Sequence, residues 1–127
     1  MPKSDNQKLK IFYIRDYLEK YSHSEHPIPT SELIRMLWEQ HEIKCDRKTV
    51  YADIEALKQY GLDIVSLQGP QGGYYLASRS FDLPELKLLI DAVQSSRYLT
   101  ENKSHELIAK ICDLCSIHDA NLMRRNI

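Results

Sequence analysis

Asp46-Arg47-Lys48-Thr49-Val50-Tyr51-Ala52-Asp53-Ile54-Glu55-Ala56-Leu57-Lys58-Gln59-Tyr60-Gly61, followed by Leu62-Asp63-Ile64-Val65-Ser66-Leu67 and then Gln68-Gly69-Pro70-Gln71-Gly72-Gly73-Tyr74-Tyr75-Leu76, is the stretch on which the fold turns. Asp46 is a good helix N-cap, and Val50, Ile54 and Leu57 recur at the spacing of one buried helical seam. Gly61 stands where a glycine ends a helix. Alternating residues from Asp63 to Leu67, a glycine-rich turn and a returning strand over Tyr74 to Ala77 then predict a hairpin. A helix that begins cationic and polar, stops at glycine and is followed at once by a hairpin suits a winged helix-turn-helix. In that arrangement the helix enters the DNA major groove and the hairpin flanks it.

Working back toward the N-terminus, Met1 to Gln7 is polar and expected to be a frayed end. From Lys8 to Tyr21 the residues Ile11, Tyr13, Ile14, Tyr17, Leu18 and Tyr21 share one broad helical face. The three tyrosines are expected in the core with their hydroxyls at its rim. Ser22 to Pro29 carries two prolines and reads as a loop. Thr30 or Ser31 can cap a second helix, with Glu32 in its first turn, and Leu33, Ile34, Leu37, Trp38 and His41 form its inward stripe.

Beyond the hairpin, Asp82-Leu83-Pro84-Glu85 opens a helix carrying Leu86, Leu89, Ile90, Val93 and Leu99. Glu101 to Lys103 reads as a polar break. Ser104 is then expected to cap a last helix carrying Leu107, Ile108, Ile111, Leu114 and Cys115. The expected fold class is mainly α with a small β-hairpin: a winged helix-turn-helix followed by a two-helix C-terminal segment. The corresponding division is 1–80 for the DNA-binding domain, 81–117 for a helical linker and dimerisation segment, and 118–127 for a connector toward a further domain.

Composition sets the outer limits. With 43% hydrophobic and 28% charged residues, the chain fits a globular protein rather than a disordered one. No apolar run approaches the roughly 20 residues that span a bilayer, so the expected compartment is the cytoplasm. Net charge is −1, from 17 Lys and Arg against 18 Asp and Glu, which counts mildly against nucleic acid, although phosphate is held by a local patch rather than by the net balance. Cys45, Cys112 and Cys115 are an odd set that suits reduced thiols.

Taking Val50, Ile54 and Leu57 as the inward direction places Lys48, Ala52 and Gln59 on the opposite side of the third helix, with Thr49 and Tyr51 on its flanks and Arg47 in the first turn. Arg and Lys pair with guanine acceptors, Thr bonds to base or phosphate, and Ala packs on a thymine methyl. Thr30 and Ser31 begin the second helix, where backbone N–H groups and hydroxyls hold phosphate. Gln71 and Gly72 belong to a wing tip that can approach the backbone. The candidate DNA contacts are therefore Arg47, Lys48, Thr49, Tyr51, Ala52, Thr30, Ser31, Gln71 and Gly72. Arg47 and Lys48 in isolation would be an ordinary solvated helix face; the hairpin after Gly61 is what makes the pair specific. Asp53 is expected in a structural ion pair, and Glu55 facing solvent.

Lys48-Thr49-Val50-Tyr51-Ala52-Asp53-Ile54-Glu55-Ala56-Leu57, followed by Gly72-Gly73-Tyr74-Tyr75-Leu76, resembles the winged N-terminal domain of bacterial WYL-domain transcriptional regulators. Phe81 to Ser96 resembles the helical segment that follows it there, so that the likeness spans Lys8 to Leu114. It implies a homodimeric DNA-binding regulator whose WYL domain senses a ligand, often proposed to be a nucleic acid or nucleotide. The chain ends before any such domain and contains no Trp-Tyr-Leu triplet. Ligand sensing is accordingly not assigned to it, and the effector is unknown.

Other chemistry is set aside on residue grounds. Cys112-Asp113-Leu114-Cys115 has CxxC form with His118 nearby, but i, i+3 spacing beside an apolar stripe favours core packing over metal or redox use. The Gly69 to Gly73 run lacks the lysine and following helix of a phosphate-binding loop. No cofactor, metal or catalytic residue is expected. The partners expected are double-stranded DNA and a second copy of the chain. The competing reading is a winged-helix protein–protein interaction module that never touches DNA.

Overall fold

The computed structural model describes residues 7–125, so that the expected frayed end lies, but for Gln7, outside the described residues, as do the last two residues of the chain. Two compact units emerge, Met1–Ser78 and Arg79–Ile127.

The first unit contains α1 (Lys10–Tyr21), α2 (Thr30–His41), α3 (Arg47–Tyr60), β1 (Ile64–Leu67) and β2 (Gly73–Leu76). Asp46 caps α3 by accepting from the Thr49 N–H at 2.9 Å. At its other end Gly61, at φ +129°, lets its own N–H reach the Lys58 carbonyl and the Leu62 N–H reach the Leu57 carbonyl. That pair of bonds is a Schellman closure, and it requires a conformation that side chains disfavour. The seam expected on α3, Val50, Ile54 and Leu57, is buried against Ile14 and Leu18 of α1 and Leu33 and Leu37 of α2. Tyr13, Tyr17 and Tyr21 are half-buried at the edge of this cluster.

Polar ties fix the angles between helices. Lys10 of α1 and Asp53 of α3 form an ion pair at 2.6 Å, with the Lys10 side chain almost wholly buried. The Tyr17 hydroxyl donates to Glu32 at 2.6 Å, joining α1 to α2. Burial, aided by that hydrogen bond, pushes the Tyr17 phenol up to about 12.

The strands pair antiparallel with Ile64 opposite Leu76 and Leu67 opposite Gly73. Ile64 and Leu76 are buried, which places the base of the hairpin in the core. The segment expected to be a plain loop does more than connect. Ile28 exchanges two 2.8 Å backbone hydrogen bonds with Tyr74, adding a third short rung to the wing, and its side chain is buried. The fully buried Ser22 hydroxyl accepts from the Leu76 N–H at 2.9 Å, fastening β2 to the end of α1.

Trp38 departs from expectation. It is 45% exposed, and its indole lies beneath the Lys44 ammonium at 5.5 Å. The inward arc of α2 is Leu33, Met36 and Leu37, and Trp38 sits too far around the helix to join it. Ile43 fills the space at that end. Glu42 adopts φ 55°, turning the chain back so that the Ile43 N–H reaches the Leu37 carbonyl and its side chain is fully buried.

The second unit contains α4 (Leu83–Ser95), α5 (Glu101–Cys112) and α6 (Ile117–Arg124), three helices where two were expected. Asp82 and Glu85 form a reciprocal capping box at the start of α4. The polar run expected to break the chain, Glu101 to Lys103, is instead the first turn of α5, capped by Thr100 rather than Ser104, and the break lies at residues 96–100. Polar residues are at home in a first helical turn, where acids also meet the helix dipole favourably. Ser116, fully buried, caps α6 by accepting from the Asp119 N–H, and Ala120 and Met123 pack with Leu86, Ile90 and Cys112. Residues read as connector are therefore helical, because two alternating small and long apolar residues form too short a stripe to stand out in sequence. Cys115 is buried just past the end of α5, its thiol pushed up to about 11 chiefly by burial, and it donates to the Cys112 carbonyl. Both sulfurs are core atoms. Leu114 is exposed instead.

Among the described residues no helix is long and apolar enough to cross a membrane.

Candidate nucleic-acid interface

With its seam committed to the core, α3 turns Arg47, Lys48, Tyr51 and Ala52 to solvent, and Thr49 is exposed beside them. Tyr51 is 46% exposed. Of the acids of this helix one leaves that side and one shares it, since Glu55 falls two turns beyond Lys48 and is exposed. Asp53 is turned inward onto Lys10, and Glu55 lies 3.6 Å from Lys58, which also donates to Ser66 of β1 at 3.3 Å. Glu55 thus faces solvent as expected, and Asp53 has its expected structural pair.

A cavity of about 520 Å³ opens between the start of α2, the first turns of α3 and the inner side of the wing. Its walls include Thr30, Ser31, Arg47, Tyr51 and Gly72, five of the residues singled out from sequence. The other four stand elsewhere: Lys48, Thr49 and Ala52 on the outer side of α3, and Gln71 exposed at the wing tip. Thr49 is partly committed to the helix, because its hydroxyl donates to the Asp46 carbonyl at 3.0 Å. Sequence reasoning missed Pro29, Ser66 and Tyr74, which also line the cavity. Tyr74 is held there by its two bonds to Ile28, a pairing across 46 positions that no local pattern announces.

Among the described residues Arg47 has no ion pair, and the start of α2 has no side-chain cap, its N-cap position being Pro29. Uncapped N–H groups at a helix start carry partial positive charge. Asp46 is the N-cap of α3, and the Thr49 N–H holds its carboxyl below the ordinary aspartate range. A lowered folded-state value means that the cap contributes fully above the unfolded value and is lost as pH falls through the folded one. Thermal melts of wild type and Asp46→Ala should therefore differ by a constant amount near neutrality and converge below about pH 3.9.

Residues 15–75 match the family model described as an HTH domain. No curated protein and no solved structure gives a significant match to the chain. The matched span runs from within α1 to the penultimate residue of β2, and so takes in the three helices, the wing and the cavity between them. Residues 15–75 are a helix-turn-helix DNA-binding region.

Proposed function

We propose that the chain is a sequence-specific transcriptional regulator, or the DNA-binding part of one, of the WYL-domain kind found in bacteria. In this reading α3 lies in the major groove and the wing follows the adjacent backbone. Lys48 and Ala52 face base edges, Thr49 stands at the groove margin, and Gln71 and Gly72 approach the flanking strand. The observation that carries the proposal is the convergence of an arginine without an ion pair among the described residues, an uncapped helix start and a glycine-rich wing on one side of α3, with the acids of that helix paired or capped.

A cytoplasmic homodimer is the working assembly. Leu88 and Leu89 on α4 and Leu122 on α6 are exposed, Leu88 by 69%, and a second copy would give such side chains cover. Two heads on a two-fold axis would read half-sites about 10 base pairs apart, or a multiple of that.

Titration of a fluorescent genomic duplex at two salt concentrations tests the reading. Affinity should fall steeply with salt, as counterion release requires. Lys48→Ala should keep the wild-type melting temperature and lose about 1–3 kcal/mol at the specific site. A near-neutral net charge of −1 favours the rival, a protein-binding winged helix. Absence of binding to any duplex at low salt would favour that rival.

A further inference from the structure

We infer that Glu55 is a specificity-determining residue of the interface, accepting a hydrogen bond from a cytosine amine in the major groove. This rests on the DNA-binding reading above and adds to it the one acid that α3 leaves on its outward side. Val50, Ile54 and Leu57, at i, i+4 and i+7, are the buried stripe of the helix. Lys48, Ala52 and Glu55 repeat that spacing on the other side, and all three are exposed. Seven residues are close to two full turns, so Glu55 shares a row with Lys48 about 10 Å further along, or about three base-pair steps.

The fold treats the two acids of this helix differently. Asp53 is drawn onto Lys10 at 2.6 Å, against a side chain that is almost wholly buried. Glu55 keeps a side chain that is 69% exposed, and its carboxylate lies 3.6 Å from the Lys58 ammonium, beyond hydrogen-bond reach. Lys58 donates instead to Ser66 of β1 at 3.3 Å. An exposed pair of that kind contributes little to stability, so Glu55 retains its accepting capacity. On a surface that approaches phosphate a carboxylate costs affinity, unless a base edge answers it. A carboxylate accepts hydrogen bonds and donates none. In the major groove guanine and thymine present acceptors, adenine sets an acceptor beside its amine, and cytosine presents a donor alone. Cytosine is thus the base whose edge fits Glu55, and the cost at every other base becomes discrimination.

Selection from a randomised duplex pool by the full chain at one low salt concentration tests the assignment. Fluorescence anisotropy then follows the selected site with each base pair exchanged in turn. The wild-type profile should contain a position where cytosine is preferred and where its exchange costs on the order of ten-fold in affinity. Glu55→Ala should flatten the preference at that position alone. Glu55→Gln should move it toward adenine, whose N6 and N7 match an amide. Both variants should melt with wild type and bind unrelated duplex several-fold more tightly, since one like charge has left the face. Wild-type selection without base preference, or one profile shared by all three proteins, would overturn the assignment while leaving DNA binding intact. Tighter binding to every duplex by the same factor, with the profile unchanged, would make Glu55 a general repulsion and overturn it as well. Failure of wild type to bind any duplex would strike the DNA-binding reading and this assignment together.

Discussion

Ile54→Ala should destabilise the first unit by about 2–5 kcal/mol, through lost transfer energy and the cavity left behind. Ile54 is 1% exposed and lies at the middle of the α3 seam, between fully buried residues of α1 and α2. A small domain holds roughly 5–15 kcal/mol in total, so that this single truncation removes a large share. At about 4–8 °C per kcal/mol, its melting temperature should drop by roughly 10 °C or more. Calorimetry checks the value against Gln59→Ala on the exposed side of the same helix, expected within about 0.5 kcal/mol of wild type. Equal effects from both would place the seam on the wrong side of α3 and undo the orientation of every proposed contact.

Gly73→Ala should disable the wing. A methyl group there would stand 2.5 Å from the Ile28 carbonyl carbon and oxygen and 2.7 Å from the Pro29 nitrogen. All three are backbone atoms, so relief requires moving the chain rather than a side chain. Gly73 also holds φ +152°, a conformation that other residues rarely adopt. The rung between Ile28 and Tyr74 is the part that must give way. Because Thr30 and Ser31 follow directly, the start of α2 should shift with it. The expected result is loss of about 1–3 kcal/mol of stability together with weaker binding to all duplexes, whatever their sequence. Gly69→Ala is the matched control. Its φ is +100°, but the space around its added methyl is empty. It should show the backbone strain without the loss of the rung. A Gly73→Ala protein with wild-type DNA affinity would separate the wing from the interface.

These expectations show which physics was local. The α3 seam, its Asp46 cap and its Gly61 stop each depend on residues within one or two turns, and all three formed as read. The capping box at Asp82 is of the same kind. Trp38, Thr100 and Ser116 mark where local pattern misled. A large apolar residue at helical spacing can still fall at the rim, and a polar triplet can open a helix as readily as end one. For Trp38 the choice lies with neighbours that are distant in sequence; at Thr100 and Ser116 it lies with a hydroxyl that accepts from the N–H three residues on.

From the chain of residues alone came the periods of 3.6 and 2, the caps and the glycine stops, and hence three helices, a hairpin and the outward side of α3. Tertiary structure decided that Thr30, Arg47 and Gly72 share one cavity, that Ile28 joins the wing, and that Lys10 draws Asp53 away from the groove side. Periodicity encodes the face a residue takes on its own element, because backbone geometry repeats. Convergence of separate elements is set by packing, and packing has no period to read.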